Sequence, residues 1–125
     1  MKRVDIYFLL LATLLLICGA ILGIVMGSRE DFTLVPVHAH LNLAGWASLA
    51  LFGLTYRAYP QLAATRLAPW HFIVSAIGSI LLPIGIGLAV LRGAPALAIV
   101  ASILWLLGVL LYLIQVIRLL NSRTE

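Results

Sequence analysis

The chain has 125 residues, of which 64% are hydrophobic and 10% are charged, and its mean hydropathy is +1.18. Soluble domains are nearer half apolar and a quarter charged, so this composition indicates an integral membrane protein and excludes a sizeable soluble domain. The net charge of +4 comes from a few charges at segment ends, which suits lipid headgroups rather than nucleic acid. The single Cys18 excludes an intrachain disulfide and a cysteine-based metal cluster.

Four apolar segments follow one another along the chain. A bilayer core of about 30 Å requires roughly 20 apolar residues per helix, and each segment is long enough. The first follows a basic start but is longer than the roughly 7–15 apolar residues of a signal peptide, so we interpret it as a retained membrane anchor. Prolines and charges punctuate the breaks. The sequence predicts an all-α membrane fold, a single domain over 1–125, with helices at about 5–28, 36–59, 70–91 and 95–118.

Lysine and arginine are distributed unevenly over the connections, and such a bias sets the orientation of membrane helices. Arg29 and Arg92 fall at one end of the predicted bundle, and the other basic residues fall at the opposite end. The bias predicts that both termini are cytoplasmic, in a multi-pass protein of a bacterial-type inner membrane. The second group comprises Lys2, Arg3, Arg57, Arg66, Arg118 and Arg123.

The carboxylates are confined to the segment ends. A proton-coupled transporter is expected to bury one at mid-membrane, so their positions disfavour the transporter class. Small residues are concentrated in the second and third segments, and such residues allow close helix contact in lipid. They predict that these two helices pack together, or that they open a void for a ligand. The carboxylates are Asp5, Glu30, Asp31 and Glu125.

The stretch "PVHAHLNLAGW", residues 36–46, places two histidines at the start of the second helix. At about 100° per residue His38 and His40 point to opposite sides, so they cannot chelate one metal ion together. They are either interfacial side chains bonded to water or a carbonyl, or ligands of two separate sites. Neutral imidazole is the usual axial ligand of haem iron, and helix bundles commonly hold haem. Asn42 or a backbone carbonyl would then orient the rings.

His71 is the remaining histidine. The chain crosses the bilayer between His40 and His71, which separates them by about 25–30 Å along the membrane normal. The depth difference excludes a three-histidine metal centre within one chain. His71 lies beside Trp70 in the sequence, and we interpret it as an interfacial residue.

The segments "HAHLNLAGWASLALFGLTYRAYP" and "WHFIVSAIGSILLPIGIGLAVLRG" together resemble the tenth and eleventh helices of the catalytic subunit, subunit I, of haem-copper oxidases. The tenth helix of that family has an H-x-H pair, a lane of small residues and an aromatic-proline exit. Its eleventh begins with a His-Phe pair and has an Ile-Gly a few residues on. The resemblance covers under half of the chain. The matching residues of the second segment are His71, Phe72, Ile77 and Gly78.

The resemblance implies that His38 is the proximal ligand of one haem and that His40 ligates another. Arg92 stands near the place of arginines that hold haem propionates, and is otherwise a plain loop charge. The three further histidines of the family's copper centre have no counterpart in this chain, so oxygen reduction does not carry over. The expected cofactor is haem b. Copper is the alternative, if the loops supply further ligands.

The twelve helices of that family form three four-helix arcs. A four-helix chain corresponds to one arc, so the resemblance implies a homotrimer with bis-histidine haem at its interfaces. The implied function is that of a small b-type cytochrome with an electron-transfer partner. The alternatives are a gas-binding haem protein and a non-enzymatic accessory or assembly subunit of a respiratory oxidase. A catalytic activity is not predicted.

Overall fold

A computed structural model describes residues 3–122, and all regular secondary structure in that range is helical. Three α-helices are long and apolar enough to cross a membrane, with mean hydropathies of 2.9, 2.3 and 2.7. The prediction of an all-α, multi-pass membrane protein is confirmed at this level, and the environment that these helices suit is a lipid bilayer. They are α1 (Val4–Arg29), α5 (Leu67–Arg92) and α6 (Ala96–Ser122).

The segment predicted as the second membrane helix is helical but is not one α-helix. It consists of α2 (Val35–His40), a π-helix (Leu41–Ala47) and α3 (Ser48–Ala58), which follow one another without a break. A single turn, α4 (Pro60–Ala63), then leads towards α5. The described residues thus contain three uninterrupted helices of spanning length, and the count of four crossings stays a prediction.

The turns at one end of the bundle depend on left-handed backbone conformations. Helix α1 ends at Glu30, whose φ is 52°, and α5 ends at Gly93, whose φ is 64°. Glycine adopts such a φ without steric cost, which explains its place after Arg92. In the loop after α1, the hydroxyl and the backbone N–H of Thr33 donate hydrogen bonds to Asp31, and they lower the pKa of that carboxyl group.

Glycines bring the backbones of α5 and α6 into contact. A β-carbon at Gly85 would lie 2.4 Å from the backbone nitrogen of Ala98, and one at Gly78 would lie 2.8 Å from that of Trp105. The prediction that the small residues of the second and third segments pack those two helices together is therefore wrong for these glycines, because they face α6. Small residues allow close backbone approach between any two helices in lipid, and sequence alone does not say which two helices meet.

An aromatic core occupies the end of the bundle where Arg3, Arg57, Arg66 and Arg118 lie, which we call the basic end. Phe8 of α1 and Tyr56 of α3 are at most 2% exposed, and their rings stack with centroids 5.8 Å apart. Arg57 donates to Asp5 at 3.3 Å across the surface beside them. Lys2 and Arg123, which also enter the orientation argument, lie outside the described residues.

The outer surfaces of α1 and α6 carry large apolar side chains. Ile24 is 70% exposed and Ile103 is 63% exposed, and many leucines resemble them. Surface of this extent suits lipid, whereas soluble monomers rarely expose contiguous apolar patches of such size. We therefore expect lipid to cover the exposed apolar side chains of α1 and α6.

Candidate functional site

The helix that carries the histidine pair changes its winding directly after His40. In the π-helix Leu41–Ala47 each turn contains an additional residue, and the hydroxyl of Ser48 donates to the carbonyl of Leu43, five residues back, at 2.8 Å. Short π segments inside α-helices are rare and are frequently found at functional sites. The change in winding marks the residues after the histidine pair as the first place to look for a site.

His38 lies against α1. Its Nδ1 is 2.9 Å from the carbonyl oxygen of Gly19. A carbonyl only accepts, so Nδ1 carries the proton and Nε2 keeps its lone pair. A β-carbon at Gly23 would lie 2.9 Å from Cε1 of the ring, so the glycine makes room for the imidazole.

Asn42 supports His38 from one turn further along the chain. Its amide Nδ2 donates to the backbone carbonyl of His38 at 2.8 Å and lies 3.4 Å and 3.5 Å from the two ring nitrogens. A β-carbon at Gly19 would come within 2.7 Å of the same Nδ2. The prediction that Asn42 or a backbone carbonyl orients the imidazole agrees with this geometry, in which both take part.

Sequence reasoning missed the contribution of α1. Gly19, Gly23 and Gly27 recur at four-residue spacing, which places them on one face of the helix. The first two receive Asn42 and His38, and nothing lies within 4 Å of a β-carbon built at Gly27. This small-residue repeat is a known signal of close helix contact, and it was readable from the sequence.

His40 lies on a different side of the helix. Its Nδ1 is 2.8 Å from the carbonyl oxygen of Pro36, so here too Nδ1 carries the proton and Nε2 has a free lone pair. The ring borders an open groove of about 330 Å³ between this segment, α5 and α6. Apolar and small side chains form its walls. The lining residues are Ala39, His40, Leu43, Ala44, Ser48, Leu82, Ser102 and Trp105.

One backbone carbonyl in the wall of the groove is held in place by two hydrogen bonds. The carbonyl oxygen of Ala44 accepts hydrogen bonds from the indole Nε1 of Trp105 and from the hydroxyl of Ser79, both at 3.3 Å. Ala44 belongs to the π-helix, so these bonds hold the irregular segment against α5 and α6. The groove is therefore built by three elements and keeps its shape next to His40.

The two histidines diverge as the sequence predicts, because His38 meets α1 while His40 borders the groove on the α5 and α6 side. The structure does not bring Arg92 to either of them. Arg92 is the last residue of α5 and is exposed, and its side chain makes no hydrogen bond or ion pair within residues 3–122. A β-carbon at Gly87 would lie 3.7 Å from Val37, which puts the end of α5 beside the start of α2.

His71, interpreted from the sequence as an interfacial residue, does not face the protein surface, because its side chain is fully buried in the bundle. Trp70 is 62% exposed, and the next residue along an α-helix points about 100° away, into the bundle. Four aromatic rings surround the imidazole, with centroid distances of 4.9–5.7 Å. They are Phe8, Phe52, Tyr56 and Tyr112.

A chain of hydrogen bonds fixes the tautomer of His71. Thr65 donates its only hydroxyl proton to the carbonyl of Leu62, so it accepts from Nε2 of Gln115 at 2.7 Å. The same amide nitrogen donates to the hydroxyl of Tyr56 at 3.1 Å. The Tyr56 hydroxyl lies 2.9 Å from Nδ1 of His71, and the donation of its proton to that nitrogen pairs both groups. His71 is left with its proton on Nε2, which is the reverse of His38 and His40.

Histidine, cysteine and acidic side chains are dispersed over this structure. Within residues 3–122 no three of them are grouped closely enough to hold a metal ion together. A haem iron requires only one imidazole on each side, since the porphyrin supplies the other ligands.

The fold and site define a multi-pass membrane protein with a histidine-bearing, partly π-helical segment. No family model, curated protein or solved structure matches the chain. The resemblance to haem-copper oxidase subunit I therefore depends on the quoted residues alone.

Proposed function

We propose that this protein is a small membrane cytochrome, related to haem-copper oxidase subunit I, that binds haem b and transfers electrons. The observation that carries the proposal is the state of the two imidazoles. In His38 and His40 the Nδ1–H group donates a hydrogen bond to a backbone carbonyl, at 2.9 Å and 2.8 Å respectively, so the lone pair that could bind a metal is on Nε2. Haem-ligating histidines are typically oriented in this way by a hydrogen bond at the other ring nitrogen.

The groove beside His40 supports the same function. Its volume of about 330 Å³ falls at the lower end of ligand sites, which span about 300–1,000 Å³, and it is open on one side. A neighbouring protomer would enlarge and close it. Small residues at Ala39, Ala44 and Ser48 let a flat ligand approach the helix closely.

The two ligand positions are not equivalent. His40 opens on the groove, whereas the ring of His38 is covered by α1 and has Asn42 Nδ2 at 3.5 Å from its Nε2. We therefore assign His40 as the principal ligand and His38 as the ligand of a second haem, with Asn42 orienting it. Arg92 is exposed at the end of α5, where it would be able to pair with a propionate.

The assembly follows from the same proposal. The composite segment Val35–His40, Leu41–Ala47 and Ser48–Ala58 would be the fourth crossing, with the basic end in the cytoplasm. Three copies would close a ring in which His40 of one protomer faces His38 of the next across a haem. Haem held between two imidazoles has no open coordination position, so it would supply one-electron transfer rather than gas chemistry.

Absorption spectroscopy tests the proposal. The protein is expressed with ample haem, purified in detergent and recorded in the oxidised and dithionite-reduced states. We expect a Soret band with sharp reduced bands, most of the haem lost in His40→Ala, part of it lost in His38→Ala, and none lost in His71→Gln, whose side chain can still hydrogen-bond. Haem-free protein, or equal losses in all three variants, would overturn the proposal.

Native mass spectrometry tests the assembly in the same preparation. The proposal expects a trimer that retains haem. A monomer with full haem content would show that both ligands come from one chain, and it would remove the interface from the proposal.

A further inference from the structure

A cavity at the basic end is lined by side chains of both charges. It has a volume of about 260 Å³ and lies between the start of α1, the end of α3 and the turn α4. One carboxylate and one guanidinium group border it, and a tyrosine, a proline and an alanine form the remaining walls. The lining residues are Asp5, Tyr56, Arg57, Pro60 and Ala63.

The packing of α1 on α3 fixes the position of the carboxylate. A β-carbon at Gly53 would lie 3.0 Å from the backbone oxygen of Asp5, so the two helices are in close contact there. The Asp5 side chain is 13% exposed, whereas the Arg57 side chain is 72% exposed. The cavity therefore combines a carboxylate that is largely shielded from solvent with a cation that is mostly accessible.

The ion pair between these two side chains leaves part of each unused. Nη1 of Arg57 donates to Oδ2 of Asp5 at 3.3 Å, through one contact rather than the two parallel bonds of a bidentate pair. Within residues 3–122, Oδ1 of Asp5 accepts no hydrogen bond, and no other N–H group of the Arg57 side chain donates one. A ligand that carries a cation and an anion close together would use both free groups without breaking the pair.

The cavity is at the depth of lipid headgroups. Helix α1 has 26 residues and is therefore about 39 Å long, compared with about 30 Å for the hydrocarbon core of a bilayer and about 40–45 Å with its headgroup regions. Asp5 is the second residue of α1, and Arg57 is the last but one of α3. A helix of this length centred in the bilayer places both side chains outside the hydrocarbon, among the headgroups.

We propose that this cavity binds the zwitterionic headgroup of phosphatidylethanolamine. The primary ammonium of the lipid donates to Oδ1 of Asp5, and its phosphate accepts hydrogen bonds from the free N–H groups of Arg57. A water molecule occupies about 30 Å³ in the liquid, so a cavity of about 260 Å³ has room for about eight or nine non-hydrogen atoms. The phosphoethanolamine group has this size.

The charges and the size of the cavity disfavour two other common headgroups. Phosphatidylglycerol offers no cation to Asp5, whose carboxylate repels the lipid phosphate. The quaternary ammonium of phosphatidylcholine has no N–H group to donate and is larger by its methyl groups. Basic side chains near a membrane surface by themselves attract anionic lipids. A preference for the ethanolamine lipid is therefore the opposite of what the basic end would show without a specific site.

Lipid binding to the purified full chain tests the proposal. Native mass spectrometry in detergent counts the bound lipid when phosphatidylethanolamine, phosphatidylglycerol and phosphatidylcholine with the same acyl chains are added in turn. We expect the ethanolamine lipid to bind about tenfold more tightly than the others, which corresponds to about 1.4 kcal/mol. Asp5→Asn should abolish this preference, because it removes the charge that selects the ammonium. Ala63→Leu should weaken the binding by filling the cavity while every charge is kept.

Asp31→Asn is the matched control at the opposite end of the bundle. Asp31 also borders a cavity together with an arginine, Arg29, but that cavity has only about 100 Å³, and Oδ1 of Asp31 already accepts two hydrogen bonds from Thr33. We expect the lipid preference to be unchanged in this variant.

Four outcomes would overturn the proposal. They are equal binding of the three lipids, a preference for phosphatidylglycerol, an ethanolamine preference that persists in Asp5→Asn, and a loss of that preference in Asp31→Asn. Displacement of the lipid by an equal concentration of soluble glycerophosphoethanolamine would overturn its assignment as a lipid site. None of these measurements involves haem, so this proposal and the proposed function can fail separately.

Discussion

The two ends of the molecule use the same side chain in opposite ways. At the histidine end, the Nδ1–H groups of His38 and His40 donate hydrogen bonds to backbone carbonyls. Nε2 of His40 has a free lone pair, whereas Nε2 of His38 lies 3.5 Å from the amide nitrogen of Asn42. At the basic end, Nδ1 of His71 accepts a hydrogen bond from the Tyr56 hydroxyl. The Nε2–H group is buried and has no hydrogen-bond partner among the described residues. The partner of one ring nitrogen thus decides what the other can do: donate a lone pair to a metal, or donate a proton.

The difference between the two ends predicts that the substitution of His71 lowers the stability of the protein more than any other substitution considered below. His71→Ala would remove a fully buried ring from an aromatic cluster and leave the Tyr56 hydroxyl without an acceptor. We expect a loss of about 2–4 kcal/mol in the free energy of unfolding. His40→Ala is the matched variant, because its ring bonds only to its own helix, and a loss below about 1.5 kcal/mol is expected. Unfolding titrations of the two variants measure the difference; equal losses would contradict the distinction between the two ends.

Two substitutions in α1 test how this helix holds His38. We expect smaller changes in stability from them, and the two changes should have opposite signs. In Gly23→Ala the new β-carbon would lie 2.9 Å from the ring, so the imidazole must shift and its bond to Gly19 weakens. We expect a loss of about 1 kcal/mol. Gly27→Ala has nothing within 4 Å and is expected to gain about 0.5–1 kcal/mol from lower chain entropy in the unfolded state. Thermal unfolding distinguishes the variants, and a gain in both would mean that α1 does not seat the ring.

The smallest effect is expected at the surface of the basic end. Arg57 and Asp5 form an ion pair at 3.3 Å, but the Arg57 side chain is 72% exposed. Arg57→Ala should therefore cost less than about 1 kcal/mol, and the cost should fall as salt is added. Unfolding at low and high ionic strength measures it. A larger loss that does not depend on salt would show that this pair belongs to the buried network rather than to the surface.

The sequence predicted those features that depend on local periodicity. Segment lengths gave α1, α5 and α6 to within a few residues, and the rotation of 100° per residue gave the divergence of His38 from His40. Depth along the chain correctly kept His71 apart from the pair but said nothing about which way its side chain points. Facing into or out of a bundle is decided by neighbours distant in sequence, because every face of these helices is apolar.

Other features could not be predicted from the sequence or were overlooked. The π-helix after His40 has no distinct composition, since it depends on where Ala44 is held by Ser79 and Trp105. The contact of Gly78 and Gly85 with α6 required knowledge of which helices are neighbours. The four-residue glycine repeat in α1, by contrast, was present in the sequence as a packing signal.

The hydrogen bond that Gly19 accepts from His38 affects the cost of placing this imidazole in a membrane. A bare imidazole and a bare amide are costly to move into hydrocarbon, and the cost falls when their polar groups are already paired. His38 pairs with Gly19 of the preceding helix, and Asn42 pairs with the carbonyl of His38. The pairing of the histidine segment with α1 therefore lowers the cost that these two polar side chains would have in hydrocarbon.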